Sequence, residues 1–216
     1  MTAVCHRFAL PLFRGLIVDF VGVLTTSPAD SLARFCRDEG LPADTFIALL
    51  GRTGPAATLV ADLELGTISQ VEFNAELGRL IGVSQVGLVA RLTAALRPQE
   101  AVLDTVATIR ESGVKVAVLS NSWGLHPHNV YERWELETRF DDVVYSELVG
   151  LRKPDPAIYV LAAQRLGLPP EHCVFVDDTF ANLAPAHRLG MGIIHQTDPS
   201  QSVRELTRFF EIPAFG

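Results

Sequence analysis

Four short segments of this chain carry groups that could do chemistry together. Leu16-Ile17-Val18-Asp19 sets a carboxylate at the end of an apolar run, with Phe20-Val21-Gly22 following. Val116-Ala117-Val118-Leu119 leads to Ser120 and Asn121, a hydroxyl and an amide. Arg152-Lys153-Pro154-Asp155-Pro156 offers an ammonium ahead of a helix start, and Val174-Phe175-Val176 runs into Asp177-Asp178. Carboxylates and one cation held at a single point suit a hard metal ion and a phosphoryl group.

Each residue has a second reading. Asp19 can attack phosphorus and form an aspartyl-phosphate, or cap the turn that follows it. Ser120 and Asn121 can bind phosphate oxygens through a hydroxyl and turn N–H groups, or simply make a turn. Lys153 can neutralise nucleophile and phosphate, or be a solvated side chain. The other lysine is Lys115, every remaining basic residue being arginine or histidine. Adjacent Asp177 and Asp178 repel each other unless a cation intervenes, which favours a Mg²⁺ site over a helix cap. His126 and His128 read as solvated loop residues, Trp123 and Trp134 as packing residues. Arg52, in Gly51-Arg52-Thr53-Gly54, is a guess for a substrate contact.

The elements that must position these groups alternate. Residues 16–20 read as a first buried strand. Ser27-Pro28 reads as a helix start, and the pattern stays helical to about Leu96, with a capping box in Ser69-Gln70-Val71-Glu72. Beyond Pro98 come a helix over 100–112 closed by Gly113, a strand at 115–119, a helix near 129–138 and a strand at 143–145. A helix over 155–166, a strand at 173–176, a helix over 180–189, a strand at 191–195 and a helix near 201–210 follow. Strands alternating with helices predict a parallel sheet covered on both faces, and ligands bind at the C-terminal ends of such strands. The fold class expected is α/β: a Rossmann-like parallel sheet core of residues 1–23 and 97–216, with an inserted α-helical cap of residues 24–96.

Composition narrows the functions. A chain of 216 residues, 48% hydrophobic and 20% charged, is long enough for one core and an insertion. A net charge of -7 argues against a nucleic-acid surface. No apolar run approaches the ~20 residues of a membrane span, and residues 1–14 lack a signal-peptide core. Cys5, Cys36 and Cys173 are odd in number and widely spaced, which predicts free thiols and a cytoplasmic protein.

Taken together, the four segments resemble the haloacid dehalogenase-like hydrolase superfamily. The likeness runs over essentially the whole chain. It is closest to the subgroup with a helical cap after the first strand, near the phosphatase-like N-terminal domain of epoxide hydrolases. Leu63-Glu64-Leu65-Gly66-Thr67-Ile68-Ser69, residues 150–159 and residues 175–182 carry that closer likeness. The resemblance implies a Mg²⁺-dependent phosphatase of a small phosphorylated metabolite, a monomer or homodimer. It implies Asp19 as nucleophile and metal ligand, Ser120 and Asn121 as phosphate-binding, and Lys153 as the cation. Asp178 would be a metal ligand, with Asp177 acting through water or from behind, the backbone C=O of Val21 a further ligand, and Asn182 orienting that loop.

One position departs from the superfamily's pattern. Its phosphatases commonly carry Asp two residues after the nucleophile, to protonate the leaving oxygen and activate water. Here that residue is Val21, and general acid–base help is worth about 10²–10⁴-fold. The alternative reading is therefore a weak or inactive protein that binds phosphate ligands. A 2-haloacid dehalogenase also lacks this acid, but needs no metal and lacks the paired acids of Asp177-Asp178. A phosphonatase needs a cap lysine, and none lies between Ser27 and Leu96.

Overall fold

The computed structural model describes residues 13–50 and 54–212. The centre is a sheet of five parallel strands in the order β3-β2-β1-β4-β5. They are β1 (Gly15–Val18), β2 (Lys115–Ser120), β3 (Asp142–Tyr145), β4 (Cys173–Asp177) and β5 (Gly192–His195). The first and fourth strands are buried at every residue, as a sheet covered on both faces requires. Leu16, Val18, Val116, Val118, Val174 and Val176 point to one face, where α6 (Glu100–Glu111) packs on α11 (Pro199–Phe209). Ile17, Ala117, Leu119 and Phe175 point to the other, against α9 (Pro156–Arg165) and α10 (Phe180–Arg188). This is the doubly wound, Rossmann-like arrangement expected.

Chain order reverses between β1 and β4, since β2 lies on one side of β1 and β4 on the other. That is where a doubly wound sheet opens a crevice at its C-terminal edge. The register Val18↔Val118 and Val18↔Val176 carries β2 two residues and β4 one residue beyond the end of β1. Asp19 and Asp177 therefore end at one level, with Ser120 one residue further along the same edge. Asp19 itself lies one residue past β1, its N–H bonded to Val176 O at 2.9 Å.

Between β1 and β2 come α1 (Pro28–Asp38), α2 (Thr45–Leu50), α3 (Ala57–Glu64), α4 (Gln70–Ile81) and α5 (Leu88–Thr93). α1 and α4 each pack on α5, and α3 packs on α4. The helix starts follow the sequence: Ser27 caps α1 with Pro28 at its first position, and Ser69 and Glu72 form a full capping box on α4. The chain enters and leaves this helical lobe through paired crossings, Thr26 N–H to Arg97 O at 2.8 Å and Gln99 N–H to Leu24 O at 3.0 Å.

Two stretches differ from expectation. The helix expected near 129–138 is a loop, a single 3₁₀ turn at Glu132–Trp134 and a four-residue helix α7 (Leu136–Arg139), broken at Glu135, whose φ is 51°. Aromatic packing supplies the reason: Tyr131 and Trp134 lie 4.8 and 5.3 Å from the Phe20 ring, so the apolar spacing serves the core rather than a helix. A short helix α8 (Ser146–Val149) also follows β3 directly. Among the described residues Cys36 and Cys173 are buried free thiols, and no helix is long and apolar enough to cross a membrane. Cys5 and most of residues 1–14 lie outside the described residues.

Candidate active site

The segment after β1 makes one wide turn, closed by Thr25 N–H on Phe20 O at 3.1 Å. Asp19 Oδ1 accepts from the Phe20 N–H at 2.7 Å, which fixes the carboxylate at the mouth of the crevice. Val21 is extended and half-buried, and Gly22 turns back with φ 91°. A Cβ on Gly22 would stand 2.2 Å from Asp178 Oδ2, so only glycine lets this backbone touch that carboxylate. From beyond β5, Gln196 Nε2 donates to Gly22 O at 2.7 Å and Val23 O at 3.0 Å and holds the turn down.

Lys153 is buried at the crevice floor, with Nζ 2.7 Å from Asp19 Oδ1 and 2.7 Å from Asp177 Oδ2. Its backbone is clasped by one side chain: Asn121 Oδ1 accepts from Lys153 N–H at 2.9 Å, and Asn121 Nδ2 donates to Lys153 O at 3.1 Å. Two residues later the chain becomes α9, where Asp155 caps the helix and Pro156 takes its first position. Burial alone would lower the Lys153 ammonium, but Asp177 and Asp19 outweigh it and hold its pKa above the ordinary value. Burial pushes Asp19 up to about 8, against the pull of Lys153. One ammonium among three carboxylates leaves negative charge uncompensated.

Asp177 is saturated. It accepts from Lys153 Nζ, from Thr179 N–H at 2.8 Å and from Asn182 Nδ2 at 3.0 and 3.1 Å. Asn182 is itself held by the Tyr159 hydroxyl on its carbonyl at 2.7 Å. Asp177 thus orders Lys153 and Asn182 from behind, while Asp178 is half-buried and faces the Gly22 turn. Burial and the neighbouring Asp177 raise the Asp178 carboxyl. Asp19, Asp177 and Asp178 can each bring one oxygen within 4.8 Å of the others. With Asp177 already engaged, the oxygens of Asp19 and Asp178, short of positive charge, fit a divalent ion such as Mg²⁺.

These groups open on a cavity of about 210 Å³ between the sheet edge and the helical lobe. Asp19, Val21, Ser120, Asn121, Lys153, Asp178 and Asn182 all line it, so the sequence segments do converge. The Asn121 amide, expected to bind phosphate, is engaged with Lys153 and with Glu64 Oε2 at 3.2 Å, and so acts through Lys153. Neither His126 nor His128 is among the lining residues. Trp134 is buried against Phe20, but Trp123, expected only to pack, both packs on Phe73 and faces the cavity. Arg52 lies outside the described residues.

Glu64 and Tyr131 also line the cavity, with no role in the sequence reading. Glu64 ends α3 and is buried beneath Arg152, whose Nε donates to it at 2.7 Å; burial raises its carboxyl, with Arg152 opposing. It bridges the helical lobe to the segments that carry Asn121 and Lys153. A signal was present, an acidic residue in the apolar Leu63–Leu65 stretch, but its partners lie 57 and 88 positions away. Tyr131 hydrogen-bonds Ser120 Oγ at 2.9 Å, and burial pushes its hydroxyl up to about 12, so it stays protonated.

A family model described as haloacid dehalogenase-like hydrolase matches residues 13–190. Mouse acyl-CoA dehydrogenase family member 10 is 30% identical over 209 residues, 93% of this chain. The match spans only 19% of the mouse protein. Sesquiterpene phosphatase astK of Aspergillus oryzae is 30% identical over 149 residues, 66% of this chain and 74% of that protein. A solved structure, the wild-type HAD family enzyme bt-2542 from Bacteroides thetaiotaomicron in complex with magnesium and inorganic phosphate, has a TM-score of 0.66. The likeness covers 88% of this chain and 98% of that one at 21% identity, and so speaks to the fold. With a family match over most of its length and a relative of this coverage, the chain belongs to the haloacid dehalogenase-like hydrolases.

Proposed function

We propose that this hydrolase is a phosphatase of small phosphate monoesters, with Asp19 as the nucleophile. The observation that carries the reading is Lys153 Nζ, buried and 2.7 Å from both Asp19 and Asp177 at the floor of the crevice. An Asp19 oxygen attacks phosphorus in line, the bond from phosphorus to the ester oxygen breaks, and that oxygen leaves with the electron pair. Water then attacks the aspartyl-phosphate, releasing inorganic phosphate and restoring Asp19. Lys153 stays protonated and offsets charge on Asp19 and the phosphoryl oxygens. The Ser120 hydroxyl, backed by Tyr131, donates to the phosphoryl group. Asp19, Asp178 and the Val21 carbonyl would hold Mg²⁺, with Asp177 behind them. When bound, the ion supplies Lewis-acid stabilisation of the phosphoryl oxygens.

The relatives' names support this reading. One is a phosphatase, and the Bacteroides enzyme was crystallised with magnesium and phosphate. Residues 24–96 act as a cap over the core of 1–23 and 97–216, closing on substrate and excluding water. The protein is cytoplasmic, a monomer or homodimer, and its partner is a small phosphorylated metabolite. A second reading has one observation in its favour: Val21 lines the cavity where an acid is expected. A protein that binds a phosphate ligand without turnover would have this wall.

Hydrolysis of p-nitrophenyl phosphate separates the two. The expected result is Mg²⁺-dependent release of p-nitrophenol, abolished by EDTA and reduced about 10³-fold or more in Asp19→Asn. Turnover untouched by EDTA and by Asp19→Asn would refute the mechanism. Phosphate binding without turnover would favour the second reading.

A further inference from the structure

The wall facing the phosphate end carries information about the rest of the ligand. α1 and α5 contribute Leu32, Leu92 and, just beyond α5, Leu96; the loop after β2 contributes Trp123 and Val130; and Val21 closes the side. Two hydroxyls from the helical lobe, Ser31 and Thr93, interrupt this surface, and both donate within the protein. Ser31 Oγ donates to Leu92 O at 2.6 Å and accepts from Ala95 N–H at 3.2 Å. Thr93 Oγ1 donates to Val89 O at 2.8 Å. Glu64, the acidic group that the helical lobe brings to the cavity, is taken by Arg152 and Asn121.

We infer, resting on the phosphate-monoester reading above for the phosphate end, that the site takes organic monophosphates with an apolar body, carrying neither a second anionic group nor a run of hydroxyls. Among the described lining residues Lys153 is the single cation, and Asp19 and Asp177 already hold it. A second phosphate or carboxylate would meet Glu64 and the walls above without a counter-charge. A polyol would give up its water hydrogen bonds, and neither Ser31, which donates and accepts within the protein, nor Thr93, which donates to Val89 O, has a donor left to offer it. Each unreplaced bond costs about 1–3 kcal/mol, a penalty of roughly fivefold to a hundredfold. An apolar body loses nothing of the kind and gains by burial. At about 210 Å³ the cavity exceeds the roughly 150 Å³ that accepts benzene, so it has room for a phosphoryl group and the near part of an apolar body.

The test is a calorimetric series in Mg²⁺ with non-hydrolysable phosphonates, so that affinity is read independently of turnover. From methyl- to butylphosphonate, affinity is expected to rise about fourfold per methylene and then level off. 3-Phosphonopropanoate should bind at least tenfold more weakly than propylphosphonate. Leu32→Gln should cut the ratio of butyl- to methylphosphonate affinity about tenfold. A flat series, or a preference for the dianionic or hydroxylated ligand, overturns the inference; if p-nitrophenyl phosphate is still hydrolysed, the phosphatase reading survives it. The expected series with no hydrolysis of any ester supports the ligand class and refutes the phosphatase.

Discussion

Gly22→Ala adds one methyl group and removes no ligand, yet it should disable the candidate cation site. Gly22 sits at φ 91°, in the left-handed half of backbone space, where an L-residue pays about 1–2 kcal/mol. The added carbon would lie 2.2 Å from Asp178 Oδ2, 2.5 Å from Cγ and 3.2 Å from Cβ. Aspartate is too short to evade contact with three of its own atoms by a small rotation. Its carboxylate must swing out of the site or the turn must lift away from it. Lifting is opposed by Gln196, which bonds Gly22 O and Val23 O. The backbone strain alone predicts a fall in Tm of about 2–8 °C for a chain of this size. Displacement of Asp178 predicts a loss of Mg²⁺ affinity of about 10–100-fold, the range typical when a group that orients metal ligands is disturbed. Mg²⁺ titration of p-nitrophenyl phosphate hydrolysis, beside thermal melts, measures both effects. Asp178→Asn is the reference, and the two variants should show similar Mg²⁺ dependence. Wild-type Mg²⁺ affinity in Gly22→Ala, with an unchanged melt, would refute the claim that this turn must be glycine to seat Asp178.

Val21→Asp should raise hydrolysis of an unactivated alkyl phosphate by up to about 10²–10⁴-fold, and that of p-nitrophenyl phosphate far less, because p-nitrophenolate leaves without a proton. Equal effects on both esters would count against a missing acid at this position. Lys153→Met leaves Asp19 and Asp177 buried without their ammonium, and should cost about 3–5 kcal/mol, read by denaturant melts; a variant as stable as the parent would contradict the buried ion pairs. Asn121→Ala unclasps Lys153, and a misplacement approaching 1 Å is worth about 10²-fold in kcat/KM. The loss should exceed what the same variant does to Mg²⁺ affinity, since the clasp acts on Lys153 rather than on Asp178.

The sequence by itself determined the alternation of strands and helices, because its signals are local. The apolar runs Leu16-Ile17-Val18 and Val174-Phe175-Val176, set between helical patterns, read as strands buried on both faces, and Ser27-Pro28, Ser69 with Glu72, and Asp155-Pro156 write helix starts into two to four residues each. It also placed Asp19, Ser120, Lys153 and Asp177-Asp178 at strand ends or helix starts, where parallel topology gathers them. Tertiary structure decided what those residues do to one another. That Asp177 is saturated while Asp178 faces the turn depends on Asn182, Thr179 and Lys153 arriving together. That Asn121 clasps Lys153, and that Glu64 reaches Asn121 and Arg152, depends on contacts across 32 to 88 positions. The stretch near 129–138 marks the same limit. Its apolar spacing reads as helical, but Phe20, more than a hundred positions earlier, takes Tyr131 and Trp134 into the core and leaves a loop. A strand, a cap or a turn is a property of neighbouring residues, whereas hydrogen-bond saturation, burial and cavity chemistry belong to groups that only folding brings within a few ångströms.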